Sequence, residues 1–234
     1  MNADFIKENW NRVQEIIYET AIKTGRNPNK IEVVAVSKGC PTSYIEEAVR
    51  VGIKKIGENR VQEAEKKINL LQDLQCEWHM VGHLQKNKIR NAINLFSLIH
   101  SLDSLDLAYA INKIAEKEGK EVDLLIQFNL SREPTKHGFL EEDFWSVYEK
   151  IFELKNIKVQ GVMTIGPLIS DKEVVRSVFR RLYEIWRKLN KDLKLNLPYI
   201  SMGMSEDFRI AIEEGANLLR LGRVIFLKDF EVRI

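Results

Sequence analysis

Eight short apolar runs, all but the last followed by a stretch with helical spacing, recur along almost the whole chain, and this alternation leaves few folds open. The strand-like runs fall at 32–37, 53–57, 77–81, 97–100, 122–128, 158–164, 198–201 and 217–221. Helical patterns occupy 43–51, 60–71, 86–94, 104–118, 141–154, 171–190 and 205–214. An additional helix opens the chain, with Phe5, Ile6, Trp10, Val13, Ile16 and Ile17 on one stripe. Repeated strand-then-helix units require parallel strands joined by right-handed crossovers. Eight strand candidates favour a single-domain α/β fold over residues 1–234, a (β/α)8 TIM barrel with an extra N-terminal helix; an open doubly wound sheet is the alternative. Caps agree: Thr42-Ser43, Ser104 and Ser205 stand at expected helix starts, and Gly52, Gly119 and Gly215 at expected ends.

At 234 residues the chain is long enough for one barrel with a sizeable core. Thirty-six basic against 34 acidic side chains leave a net charge of +2, which argues for neither nucleic acid nor membrane as a partner. The run Glu63-Ala64-Glu65-Lys66-Lys67 is expected to be a solvated face. Two cysteines, Cys40 and Cys76, form no CxxC pair or disulfide framework, so a reducing cytoplasm is expected. The first residues show no basic-then-apolar leader, and an unprocessed, soluble protein is expected.

Barrel chemistry sits at the C-terminal strand ends. Those ends carry Lys38, Glu58-Asn59-Arg60, Gly82-His83, Ser101-Leu102-Asp103, Asn129, Thr164, Ser201 to Ser205 and Arg220 to Arg223. They are mostly polar or glycine above apolar strands, as one polar mouth on a packed barrel would be. Lys38 follows Val33-Val34-Ala35-Val36 directly. An amine at such an edge, with an apolar wall beside it, loses hydration and can attack a carbonyl; the alternative is a solvated lysine beyond a strand.

Ser205 is expected at the start of a helix whose free N–H groups suit an anion, and Gly222 lets the backbone approach a ligand closely. A phosphate between the last two βα loops is one reading; simple capping by Ser205 is the other. Arg220 lies in the apolar run Leu218 to Leu221, so its guanidinium must find a partner. A ligand's ring nitrogen or carboxylate serves one reading, a structural salt bridge the other. His79 and His83 are four apart but on a strand, so they need not converge, and no metal site is expected. GxSxG, P-loop and GxGxxG signatures are absent from the sequence.

Six strings stand in order along the chain: Val34-Ala35-Val36-Ser37-Lys38, Ile56-Gly57-Glu58-Asn59-Arg60-Val61-Gln62-Glu63, the run Trp78 to Lys88, Gly161-Val162-Met163-Thr164-Ile165, Ser201 to Phe208 and Arg220-Leu221-Gly222. Together these strings resemble the pyridoxal phosphate homeostasis family, once called the proline synthetase co-transcribed homologue. The resemblance spans nearly the whole chain and implies a barrel like the N-terminal domain of alanine racemase. It also implies pyridoxal 5′-phosphate (PLP) as cofactor, held as a Schiff base on Lys38 with Arg220 facing the pyridine nitrogen. Ser205 and the backbone of Gly222 and Arg223 would contact the phosphate, with Ser201 and Met204 in the same loop. Asn59 and Lys136 would lie near the cofactor. Two departures stand out: Gly39-Cys40 follows the lysine, and Leu227 replaces the family's usual final glycine.

An arginine on the ring nitrogen keeps that nitrogen unprotonated, which blunts the ring as an electron sink. A racemase of this barrel type also draws a tyrosine base from a second domain, for which this chain is expected to have no room. The resemblance therefore implies a binding protein in vitamin B6 homeostasis rather than an enzyme, monomeric, with apo-enzymes of PLP as possible partners. The alternatives are a small amino-acid racemase and a barrel enzyme acting on phosphorylated sugars through a catalytic lysine.

Overall fold

The computed structural model describes residues 3–169, 171–228 and 230; the expected domain span of 1–234 reaches past them at both ends. Eight parallel strands close in sequence order into one barrel: β1 (Glu32–Val36), β2 (Lys55–Glu58), β3 (Glu77–Met80), β4 (Leu98–Leu102), β5 (Val122–Phe128), β6 (Ile157–Thr164), β7 (Tyr199–Ser201) and β8 (Leu218–Leu221). β1 pairs with both β2 and β8, which seals the ring. The open-sheet alternative is thereby excluded.

Two apolar layers hold the barrel, as strand alternation requires. Inside, Val34, Leu98, Leu125, Met163 and Leu218 from five different strands form one small buried plug. Outside, the opposite strand faces pack against the helices in a much larger cluster. The outer helices in order are α2 (Thr42–Arg50), α3 (Val61–Leu70), α4 (Ile89–Leu95), α5 (Leu105–Glu118), α6 (Glu141–Phe152), α7 (Lys172–Asp192), α8 (Phe208–Glu213) and α9 (Arg223–Phe226). Ser104 caps α5 as expected, accepting from the Leu107 N–H at 3.3 Å. Gly119 ends α5 in the left-handed conformation at φ 63°, which glycine adopts without strain.

α9 has only four residues and is too short to cover the β8–β1 seam. The opening helix α1 (Phe5–Lys23) takes that place, packing against α2, α8 and α9. The Asn9 side-chain amide donates to the carbonyls of Ile225 and Leu227, both at 3.0 Å. Beyond α1, the Arg26 guanidinium donates to the carbonyls of Ile212, Gly215 and Ala216. Ile212 lies in the last turn of α8 and the other two in the turn that follows, so a cation meets the negative end of that helix.

Two local expectations are corrected. α2 begins at Thr42 with Pro41 as its N-cap, so Thr42 and Ser43 are helical and do not cap. α8 starts at Phe208, not at Ser205: Asp207 is the N-cap, and its carboxylate turns back to accept from the Met204 N–H at 2.5 Å. That closes a turn over 204–207 and leaves Ser205 outside the helix.

Candidate functional site

The C-terminal rim gathers the expected residues, though not always in the expected roles. β1 ends in a turn that is fixed from behind. The Ser37 N–H donates to Gly57 O at 3.0 Å, and its hydroxyl donates to Glu58 Oε1 at 2.6 Å. Lys67 reaches up from α3 and donates from Nζ to the same Oε1 at 2.6 Å and to Ser37 O at 2.7 Å. Glu58 is fully buried and Lys67 nearly so. The expected solvated face of α3 thus holds a buried ion pair. The reason is helical spacing: Val61, Ala64 and Lys67 lie three apart on the inward stripe. One residue beyond this clamp, Lys38 projects from the turn, exposed. The protein wall alone does not dehydrate it as expected, because the turn lifts it above the strand end. Strand alternation from inward Val34 carries it to the mouth rather than to the helix layer.

Arg220 stands across the mouth on β8, 5% exposed. It points inward, and its partners are neutral. One guanidinium NH₂ donates to Ser201 Oγ at 2.7 Å and the other to Thr164 O at 2.8 Å. Among the described residues no carboxylate comes within ion-pair distance, so the structural salt bridge is not what holds it. Burial lowers its pKa to about 10, partly offset by the charge of Asp207; it remains a cation at neutral pH. Five N–H donors with two engaged leave donors for a ligand.

Ser201 sits buried inside the barrel, and its hydroxyl meets Arg220. It begins a buried chain. His100 Nδ1 lies 3.2 Å from Ser201 Oγ, and His100 Nε2 lies 3.0 Å from His79 Nδ1. His79 Nε2 lies 3.5 Å from Glu77 Oε2 at the opposite barrel end. Because the Glu77 carboxylate only accepts, the directions follow from that end for neutral imidazoles: His79 gives to Glu77, His100 to His79, Ser201 to His100, and Arg220 to Ser201. This order needs both imidazoles neutral. Burial meets the requirement, pushing His79 down to about 4 and His100 well below its ordinary value. No local signal in the sequence points to this chain, since its members come from four strands.

The corner expected to take a phosphate lies between β7 and β8. Ser205, buried, accepts from the Val224 N–H at 3.2 Å, which ties the 201–205 loop to α9. The N–H groups of Ser205, Gly222 and Arg223 donate to no protein acceptor among the described residues. A Cβ on Gly222 would stand 3.3 Å from Val36 O, so the glycine keeps the backbone close against β1. Met204 contributes backbone only, holding Asp207. The donor set fits a phosphate ester: a hydroxyl and free N–H groups.

Asn59 lies half-buried at the end of β2, its backbone pressed against Gly82. It borders a groove of about 750 Å³ that also meets Arg60, Lys66, His83 and Lys88. Lys136 is occupied: Nζ donates to Glu133 Oε1 at 2.6 Å and to Gly166 O at 2.7 Å, pinning the β5–α6 loop to the loop after β6. His79 and His83 point to different places, as their strand setting implied.

Comparison with known proteins gives a consistent result. The family model for the alanine racemase N-terminal domain matches residues 1–229. The pyridoxal phosphate homeostasis protein of Aquifex aeolicus is 42% identical over 219 residues, covering 94% of this chain and 96% of the relative. PipY of Synechococcus elongatus, solved with PLP bound, superposes with a TM-score of 0.80 at 34% identity, over 90% of this chain and 99% of PipY. A protein of unknown function from Bifidobacterium adolescentis gives a TM-score of 0.87 at 31% identity, over 96% and 95%.

Proposed function

The chain belongs to the alanine racemase N-terminal domain family, among its pyridoxal phosphate homeostasis proteins, and from that membership we propose that it binds PLP reversibly through Lys38 without catalysing turnover. Bound there, PLP supplies an aldehyde that an amine captures and a ring that can withdraw electrons. The Lys38 amine adds to the aldehyde carbon, a C=N bond forms and water leaves. Ser205 and the N–H groups of Gly222 and Arg223 hold the phosphate, and Arg220 donates to the ring nitrogen.

The observation that carries the proposal is the buried Arg220 guanidinium, charged, held by neutral acceptors and with donors to spare at the mouth. A cation there keeps the ring nitrogen unprotonated and its electron withdrawal weak, which suits storage better than carbanion chemistry. The exposed position of Lys38 fits exchange with apo-enzymes, and the two free thiols, Cys40 and Cys76, fit a reducing cytoplasm. No helix among the described residues is long and apolar enough to cross a membrane.

Purified protein mixed with PLP is expected to show a visible absorbance that borohydride bleaches, with the reduced adduct mapped to the Lys38 peptide. Lys38→Ala should lose it. Normal absorbance in that variant contradicts the assignment, and turnover of any member of a panel of D- and L-amino acids by loaded protein contradicts the non-catalytic reading.

A further inference from the structure

Three βα loops on the half of the rim away from β8 bring His83, Asp103 and His137 together, and we propose that these three residues form a binding site for a divalent transition metal. One nitrogen from each imidazole and one oxygen of the carboxylate all lie within 4.8 Å of one another. His83 Nδ1 stands 2.8 Å and His137 Nδ1 3.7 Å from the same oxygen, Asp103 Oδ2. The imidazoles stack at 3.8 Å with an interplanar angle of 11°, so their Nδ1 atoms face the carboxylate side by side. The expectation of no metal site considered His79 with His83; the actual partners of His83 are 20 and 54 residues further along the chain.

Each ligand is held from behind. The other oxygen, Asp103 Oδ1, accepts from the Ser104 hydroxyl at 3.2 Å, which leaves Oδ2 for the cation. His137 is fixed through its backbone, where its carbonyl accepts from the buried Gln127 side chain at 2.7 Å. The next residue, Gly138, has φ 130°, and a Cβ there would meet Asn129 N at 2.6 Å. His83 follows Gly82, where a Cβ would meet Asn59 O at 2.3 Å. A hydrogen bond such as that from Ser104 to the second carboxylate oxygen orients metal ligands elsewhere; the two histidines are fixed through their backbone.

Two imidazoles and one carboxylate suit zinc, cobalt(II) or nickel(II) and are too poor in oxygen for calcium or magnesium. To bind, the metal sheds water from three positions, and the Nδ1 proton that His83 shares with Asp103 leaves that nitrogen as Nε2 takes one up. The metal then joins the loops after β3, β4 and β5 into one rigid arc. β4 lies opposite β8 in the ring, so this arc faces the proposed phosphate corner and is independent of it.

The test is cobalt(II) titration of untagged, metal-free protein, using Lys38→Ala as host so that no attached cofactor contributes. His79 and His100 are buried, so His83 and His137 are the histidines accessible to added metal. One equivalent is expected to give the visible d–d absorption of low-coordinate cobalt, displaced by zinc. His137→Gln, at an exposed position, should weaken binding at least tenfold, as should Asp103→Asn. The thermal midpoint of the metal-free variants verifies folding, and if Asp103→Asn fails that check His137→Gln decides alone. Cobalt that keeps its aqueous spectrum, or binding of unchanged affinity in His137→Gln, overturns the proposal.

Discussion

Glu58 and Lys67 carry opposite charges out of water, and each is tolerable only because of the other. Glu58→Gln leaves the Lys67 ammonium buried against a neutral group and is expected to destabilise the protein by about 3–5 kcal/mol. Urea denaturation would show it as a lower midpoint at unchanged slope, whereas an unaltered midpoint would mean that the pair is solvated. The turn before Lys38 hangs on the same pair, so PLP uptake should weaken too. His79 adds a pH dependence. Its folded pKa, about 4, lies below the unfolded value near 6.5. The stability it contributes is complete above pH 6.5 and is lost as pH falls towards 4, by as much as about 3 kcal/mol. His79→Gln should reduce the slope of unfolding free energy measured across pH 7 to 4.5, leaving the part that belongs to His100, whereas the same slope in both proteins would place the effect elsewhere. At this scale the sequence is legible where a residue borders its motif, as Lys38 and Arg220 do. It is silent where the partner is distant: nothing near His83 points to His137. Lys67 was readable in principle, since the stripe of Val61 and Ala64 runs straight into it, but its charge hid it.

The elements themselves were largely written in the apolar alternation, because a buried parallel strand needs a continuous apolar run whatever its neighbours. Boundaries moved where a side chain competes with the backbone, as Asp207 does in delaying α8 past Ser205. The short α9 was missed because four residues show no period. Close packing between strands concentrates at Gly161, where a Cβ would stand 2.0 Å from Tyr199 O. Gly161→Ala must therefore push β6 from β7, and a loss above about 4 kcal/mol is expected, at the extreme of single substitutions. Thermal melting gives the answer; a midpoint within a degree or two of the parent would show that the strands yield. On the outer layer, Asn9→Ala removes two hydrogen bonds that fasten α1 to α9. A loss of about 1–2 kcal/mol is expected, with faster hydrogen exchange confined to α1 and α9. Uniform exchange behaviour would mean that apolar packing alone holds α1.

For the whole molecule, the proposed ligand bridges strands that are neighbours in space but far apart in sequence, Lys38 on one side of the seam and the β7–β8 corner on the other. Occupancy should therefore stabilise the barrel as a unit. At a PLP concentration about 100-fold above Kd the gain is about 2.7 kcal/mol, or roughly 5–10 °C in melting temperature for a chain of this length. Lys38→Ala should forfeit most of that rise, and an equal rise in both proteins would place the gain at another site. The seam has one more consequence, which concerns synthesis. Because β1 bonds to β8, a chain leaving the ribosome carries an unzipped edge at Glu32–Val36 until Leu218–Leu221 have followed it out. Until β8 emerges that edge is open to any other nascent strand, so the hazard of mispairing falls on the unfinished barrel and ends only when β8 arrives.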